Sequence, residues 1–464
     1  MTPTPIDVGW WLRDSGDDLT PRAALDGDAE VDVAIVGGGF SGLWTAWYLL
    51  QRDPTLRILV LEARTVGFGA SGRNGAWLSP GVGVTPTELA RRSSPAVARA
   101  TTEAMRATVS EIAAICAAEG IDADLRRGGI LRIARGAHEV PVLRAGYDAL
   151  DELGLTVGIE LLGADELAER VRVADARGAL FDPYGAVVHP GKLVRGLARR
   201  VEAAGGRIVE GTPVTDVEER SGASGPLVRT DHGTVTADAV VLACEAWLPQ
   251  LPGHARDVLP LYSLVVLTEP LDEASQDAIG WAGHECLSSH RLTVDYLSRT
   301  ADGRILFGGR GAPYHFGSQV APEHDVHDPT HAELQRQLVS WFPPLHDVRF
   351  AARWGGPIAM PRDWLPSFRF DRRTGIGGAY GYTGQGVATT NLAGRVLSDL
   401  IVDGSTPFAD LPMVGHRARR WEPEPLRWLG ARVVQSGLAR ADARAAETGR
   451  PPSGRSIAER LARH

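Results

Sequence analysis

Residues 31–62 read VDVAIVGGGFSGLWTAWYLLQRDPTLRILVLE, and this stretch decides the fold. The run 31–36 is short, apolar and β-branched, the pattern of a buried strand, and Gly37-Gly38-Gly39 breaks it. Residues 40–51 carry long apolar side chains and no proline, which predicts a helix that Pro54 closes. Residues 57–61 predict a second buried strand ending at Glu62, so the stretch forms one βαβ unit of about 30 residues. Gly37, Gly39 and Gly42 fall in the spacing G-x-G-x-x-G at the strand-to-helix turn. The first glycine makes the turn, the second lets a pyrophosphate approach the backbone, and the third lets helix and sheet pack closely. The helix start at Phe40 and Ser41 then offers free N–H groups and the positive dipole end to the phosphates. Glu62 stands where a carboxylate accepts hydrogen bonds from both ribose hydroxyls and repels a 2'-phosphate, which excludes NADP and leaves FAD or NAD. The bland alternative is an α/β turn that binds nothing.

Composition sets the bounds around this unit. A chain of 464 residues is too long for one small core and suggests two or three domains, possibly interleaved. Apolar residues at 44% and charged residues at 23% disfavour disorder and coiled-coil architectures. A formal charge of -8 argues against nucleic acid as the main partner. Lys192 is the only lysine, which removes that residue from almost every mechanism. Cys116, Cys244 and Cys286 are scattered without a CxxC pair, fitting neither a disulfide framework nor a zinc site, so no metal is expected and a reducing, cytoplasmic setting is the default. No stretch approaches the ~18 unbroken apolar residues of a membrane span, and no basic-then-apolar leader opens the chain.

Beyond the βαβ unit the pattern is mixed. Residues 86–119 are Ala-rich, with Pro95 the only internal breaker, and predict one or two long helices that look like a scaffold. Residues 192–204 read as an amphipathic helix running into Gly205-Gly206 and a strand at 207–209. Strands come next within 226–243, ending in VVLACEAW, and residues 259–350 are strand-rich in a way that suggests an antiparallel sheet and the substrate domain. A helix is expected from about Pro425 to Ala446, then a partly mobile Gly/Pro/Ser/Arg-rich tail.

The segment after Glu62 favours FAD over NAD. In place of further short βα units comes a glycine-rich loop, GFGASGRNGAW at 67–77, whose backbone N–H groups can run along an extended ligand. Neither GGRGAPY at 308 nor GIGGAYG at 375 opens a helix, so a second dinucleotide site is not expected. VDVAIVGGGFSGL, LEARTVGFGASGRNGA, VVLACEAW, LPLYSLVVLTEPL, DGRILFGGRGAPYHFG, RWGG and GYTGQGVATTNLAGRVLSDLI occur in that order. The chain thereby resembles the D-amino-acid oxidase and glycine/sarcosine oxidase superfamily, most of all its gamma-glutamylputrescine oxidase-like branch, over residues 25 to about 445.

The resemblance implies an α/β protein with a p-hydroxybenzoate-hydroxylase-like two-domain fold: a Rossmann-like FAD-binding domain from 1–82, 180–255 and 351–405, a mixed-sheet substrate domain from 83–179 and 256–350, and a C-terminal extension, 406–464. It places the pyrophosphate at Gly37, Gly39, Phe40, Ser41 and Gly42, and the AMP ribose at Glu62 with Ala63 and Arg64 beside it. Val214 would meet adenine through its backbone, and Ala243 to Trp247 would pass near the ribityl and phosphate region. Gly69, Ala70, Ser71, Arg73, Asn74, Gly75 and Ala76 would run beside the flavin. Gly384 and Gly386 free the backbone to approach the ring. A helix from Gln385, Val387, Ala388 and Thr389 would aim its positive end at the pyrimidine O2. The lysines that sarcosine oxidases use for oxygen and carboxylate have no counterpart: Ala388 stands at the second place, and Lys192 lies in a predicted helix elsewhere. The cysteine and histidine that tether flavin in some relatives are also missing, so FAD is expected to be non-covalent.

Four residues are expected to serve the reacting centre. Tyr262 is a pocket tyrosine or a strand tyrosine packed in the core. Arg310 pairs with a substrate carboxylate or phosphate, or bonds loop carbonyls. Trp354 is a wall flanking the flavin, and Gln385, with Tyr382, reaches the substrate face or serves only the flavin edge. Tyr296 and His315 are weaker candidates; His189 is a base or a turn residue, and Asp363 caps a loop. The expected activity is FAD-dependent oxidation of the C–N bond of a small amine or amino acid to an imine, with O2 reduced to H2O2. The alternatives are a dehydrogenase passing electrons to a quinone or protein carrier, an NAD-linked dehydrogenase, and a flavin-containing binding protein.

Overall fold

The computed structural model describes residues 9–219, 225–309 and 314–462. The opening unit folds as its pattern dictates, with strand Ala29–Val36, helix Phe40–Arg52 and strand Ile58–Leu61. These strands pair in parallel, Val33 opposite Ile58, and Ala29–Val36 pairs on its other side with Gly233–Leu242. The first sheet runs in the order Ser367–Asp371, Ile376–Tyr380, Gly233–Leu242, Ala29–Val36, Ile58–Leu61, Arg207–Val209, with a hairpin of Val214–Glu218 and Leu227–Thr230 beside it. Its central strands are apolar on both sides because both faces are covered. Helices Phe40–Arg52, Pro190–Ala203 and Gly386–Val402 bury Leu43, Trp44, Leu197 and Leu392 against Ile35 and Val60.

The second sheet has the order Phe350–Met360, Leu259–Thr268, Ile305–Gly309, Asp295–Arg299, Cys286–Ser288, Ile130–Arg135, Ala176–Asp182, Glu160–Leu162. Alternation along each strand divides it between two cores. Leu264, Val266, Phe307 and Leu131 pack against Leu338 and Trp341 of helix Asp328–Trp341. Val265, Leu267, Leu306 and Trp354 point the other way, onto Trp11, Ala76 and Val187. That second face meets the loop following Glu62, so the glycine-rich loop lies between the two sheets.

Four expectations change. Phe350–Met360 belongs to the second sheet, in antiparallel register with Leu259–Thr268, so the first layer resumes after 360 and not at 351. Ala176–Asp182 likewise pairs with Ile130–Arg135, which moves the boundary at 180 to after 182. The helices expected within 86–119 are Pro86–Arg92 and Pro95–Ala118, with Thr85 and Ser94 as N-caps. The longer one packs on helix Gly386–Val402 in the core of the first sheet, so it scaffolds that layer and not the substrate sheet. In the C-terminal tail a helix, Ile457–Ala462, forms where composition suggested mobility, because Ala458 seats on Gly437.

Candidate active site

Two helices bring their N-termini together. Phe40–Arg52 starts at the first glycine turn and Gly386–Val402 at the second, and the helices cross closely, since a Cβ on Gly394 would lie 2.8 Å from Trp44 Cβ. The two starts are pinned by a hydrogen bond between the Ser41 and Tyr382 hydroxyls, 2.7 Å apart. Two positive dipole ends therefore converge on one region, an arrangement suited to a phosphate at one end and a developing negative charge at the other.

The first turn is built for close approach. Gly37 has φ +114°, and a Cβ there would lie 2.6 Å from the Ala243 carbonyl oxygen. A Cβ on Gly39 would lie 2.9 Å from Ser71 Oγ, and one on Gly42 would fall on the Gly37 carbonyl. Glu62 closes the turn: its carboxylate accepts from Gly38 N at 2.8 Å and Arg64 N at 2.9 Å. Burial pushes Glu62 up to about 7 against the pull of those amides. Ala63 and Arg64 beside it are exposed. Gly211 N and Thr212 N donate to the Arg64 and Glu62 carbonyls, which brings Val214 to the same end of the sheet. These cradles and this acceptor fit a dinucleotide with a free ribose.

The loop 67–76 is tied to both layers. Ser71 Oγ accepts from Phe40 N at 2.8 Å, and Ser298 Oγ donates to the Gly75 carbonyl at 2.9 Å. Asn74 accepts from Ala76 N through Oδ1 and donates to the Ala70 and Ser71 carbonyls, which holds Ala76 at φ 64°. Gly69 faces Trp247, whose ring a Cβ would meet at 3.1 Å. Arg73 is buried, with its guanidinium paired to Asp325 and bonded to the Phe68 carbonyl. Sequence reading missed two anchors, one of this loop and one of the segment before the second helix. Helix Trp10–Asp14 places the Trp11 indole N–H on the Asn74 carbonyl at 2.8 Å. Glu245, in ACEAW, accepts backbone N–H groups from Ala359, Gly381 and Tyr382.

Glu245 sits at φ 47°, a conformation glycine adopts more readily, so those three bonds hold a strained backbone. Burial raises its carboxyl to about 7. A carboxyl raised in the folded state contributes stability below its unfolded value near 4.5 and loses it as pH rises through 7. Glu245→Gln, neutral at every pH, is therefore expected to show a smaller fall in Tm than the parent between pH 5 and 8. A parallel fall in both proteins would remove this role.

Of the residues expected at the reacting centre, the structure brings few into the space between the sheets. Tyr262 lies on the far face, 1% exposed, with its hydroxyl bonded to the Ala321 backbone, so it is the core tyrosine of the alternative reading. Trp354 is 3% exposed and donates its indole N–H to the Arg73 carbonyl at 3.0 Å; it supports the loop from below and is no open wall. Gln385 stands at the N-cap position of helix Gly386–Val402 without a side-chain capping bond, its amide lying against Gly81, and the Tyr382 hydroxyl is spent on Ser41. Arg310 lies outside the described residues. Gly384, at φ +90°, needs glycine, whereas a Cβ on Gly386 would meet Tyr382 at an ordinary 3.5 Å. Val387, Ala388 and Thr389 are buried in the first turn of that helix, Thr389 Oγ1 donating to the Gln385 and Gly81 carbonyls. His189 is an N-cap that accepts from Lys192 N, and Asp363 accepts from Leu365 N.

Tyr296, a minor candidate from sequence, has the best position. Its ring lies where a Cβ of Gly75 or of Gly308 would be, and its hydroxyl is 2.8 Å from Ser263 Oγ. Both glycines admit the ring against the glycine-rich loop, so the sheet presents a tyrosine and a serine to the region beside that loop. The signal was present in sequence only as two glycines far apart, Gly75 and Gly308, with nothing linear to join them.

Comparison with known proteins gives the family and the fold. A family model described as FAD dependent oxidoreductase matches residues 32–400. Gamma-glutamylputrescine oxidoreductase of Escherichia coli (strain K12) is 30% identical over 425 residues, covering 90% of this chain and 95% of that protein. Glycine oxidase of Geobacillus kaustophilus is 27% identical over 387 residues, 81% of this chain and 94% of that one. The crystal structure of glycine oxidase from Geobacillus kaustophilus matches with a TM-score of 0.68 at 24% identity, over 84% of this chain and 99% of that one. L-proline dehydrogenase from P. horikoshii matches with a TM-score of 0.67 at 20% identity, over 84% and 98%. At those identities the structures speak for the fold.

Proposed function

The chain belongs to the FAD dependent oxidoreductase family, and from that membership we propose that it oxidises the C–N bond of a small amine or amino acid to an imine, with O2 as electron acceptor and H2O2 as product. Water hydrolyses the imine to a carbonyl compound and ammonia or an amine. FAD is the cofactor, and when bound it supplies the hydride acceptor, which leaves the protein the tasks of orientation and electrostatics. The observation that carries the reading is the convergence of two helix N-termini beside a loop clamped between the sheets. The names of the relatives, an oxidoreductase of gamma-glutamylputrescine and an oxidase of glycine, support an amine or amino acid as substrate.

In this reading Gly37, Gly39 and Ser41 hold the pyrophosphate, Phe40 N being engaged by Ser71 Oγ, and Glu62 accepts from the ribose. The loop 69–76 lies along the flavin, and the N-terminus of Gly386–Val402 favours the anionic reduced ring. Tyr296 and Ser263 orient the amine. Tyr296→Phe is expected to lower kcat/KM about tenfold, the effect of one hydrogen bond to substrate, with FAD content unchanged. Loss of FAD from that variant would make Tyr296 a packing residue.

The test is anaerobic mixing of the purified protein with a panel of amines and amino acids, followed by air. Bleaching of the yellow protein by one compound, with peroxide formed on aeration, is the expected result. Bleaching without prompt reoxidation supports a second reading, transfer to a quinone or protein carrier. A specific observation favours it: Lys192 is paired with Asp124 at 2.8 Å, and Ala388 is fully buried, so neither brings an amine to the flavin side. A colourless protein overturns both.

A further inference from the structure

The C-terminal helices carry a surface unlike the rest of the chain. Nine large apolar side chains are exposed among the described residues, and five of them, Leu426, Leu429, Val433, Ile457 and Leu461, lie in helices Leu426–Thr448 and Ile457–Ala462. The spacing of Leu426, Leu429 and Val433 puts them on one face. The opposite face is committed to the body. Trp428 and Ala431 pack in the cluster of Leu259 and Tyr314, and buried Asp442 accepts from Leu292 N and Thr293 N at 2.9 Å. The apolar stripe is therefore held outward by contacts behind it.

Charge is distributed just as unevenly. Within 426–461 the exposed ionic side chains are Arg432, Arg440, Arg444, Arg450, Arg455 and Arg460 against Glu447 alone. The other two acids are buried and engaged, Asp442 as above and Glu459 as acceptor for Gly454 N and Ser456 N. A chain of formal charge -8 thus ends in a strongly cationic, partly apolar face.

We propose that this helical pair is a docking face for an anionic lipid bilayer surface. Leucine, valine and isoleucine enter the boundary between headgroups and acyl chains, and guanidinium groups pair with lipid phosphates. The helices lie on the membrane: no helix among the described residues is long and apolar enough to cross one. A second copy of the chain fits the face less well, because a two-fold contact would set the same arginines against one another. A nucleic acid would use the arginines but leave the apolar stripe without a partner. The proposal does not depend on which amine is oxidised or on the electron acceptor.

The test is sedimentation of the full-length holoprotein with vesicles of phosphatidylcholine alone or mixed with phosphatidylglycerol. Binding is expected only with phosphatidylglycerol present, weakening as salt is raised. The triple variant Arg432→Gln, Arg440→Gln, Arg444→Gln is expected to lower the partition coefficient about a hundredfold, since each arginine near the surface contributes about fivefold. Leu429→Ser with Val433→Ser is expected to lower it at least about tenfold. Both variants touch only exposed positions and are expected to keep their yellow colour and Tm, which separates lost docking from lost folding. Equal binding to both vesicle types, or variants that bind like the parent, would overturn the proposal. So would a dimer in light scattering that the Leu429, Val433 variant dissociates, with no vesicle binding at all.

Discussion

Gly37→Ala is expected to purify without colour. The residue has φ +114°, outside the range an alanine adopts without strain, and a Cβ would press on the Ala243 carbonyl oxygen at 2.6 Å. The nearest atoms, Ala243 O and C and Cys244 N, are all backbone, so no side chain can swing away. Relief requires the first glycine turn to part from the segment after Gly233–Leu242, and the parting widens the turn proposed above to hold the pyrophosphate. Strain of this kind costs about 1–3 kcal/mol. Together with the misplaced amides it is expected to weaken FAD binding at least about a hundredfold. Gly42→Ala should behave the same way, since its Cβ would fall on the Gly37 carbonyl and within 3.0 Å of Ile35 Cγ2. Gly146→Ala, inside helix Val140–Glu152 and away from the glycine turns, is the control, because nothing lies within 4 Å of its Cβ. Flavin absorbance per polypeptide, measured after gel filtration, is the readout. A yellow Gly37→Ala protein with parent-like flavin content would show that the first glycine turn is not where the dinucleotide binds.

These glycines also mark how far linear sequence reaches. The first βαβ unit was legible because strand, turn, helix, strand and terminal acid succeed one another within 32 residues, and each step is local. Local pattern was insufficient wherever strand pairing decided the outcome. The resemblance assigns residues from 351 on to the dinucleotide layer, but the register of Phe350–Met360 with Leu259–Thr268 binds that strand to the other sheet. The face of a strand is equally a matter of register. Tyr262 and Ser263 are neighbours, and alternation sends the serine to the loop side with Tyr296 and the tyrosine to the core. Glu245 went unread because its partners, Ala359, Gly381 and Tyr382, lie more than a hundred residues downstream.

Breaking the Arg73–Asp325 pair is expected to be the most damaging single change outside the glycine turns. Arg73 has 4% of its side chain exposed and Asp325 16%, so the pair is enclosed. Arg73 also donates to the Phe68 carbonyl at 2.8 Å, lies over the Phe68 ring, and offers its own carbonyl to Trp354. One side chain thus fastens the glycine-rich loop to the segment before helix Asp328–Trp341. Burial raises Asp325 to about 6, with Arg73 as the chief influence pulling it down. Arg73→Met keeps the length and the packing of the stem but leaves an unpaired carboxylate in a closed site, which costs about 3–5 kcal/mol. The sign of the pH dependence comes from the protonation state. Below about 6 the Asp325 carboxyl is already largely neutral, so little charge is stranded; above it the penalty grows as the folded state is forced to ionise or to hold its proton against the solvent. The Tm deficit of Arg73→Met is therefore expected to be larger at pH 8 than at pH 5. Asp325→Leu in the same chain should recover most of it, because no buried charge remains. The four proteins of that cycle, unfolded thermally at both pH values, decide the matter. Additive losses with no dependence on pH would mean that Arg73 acts through its stem and its Phe68 contacts alone, and that the ion pair does not hold the loop.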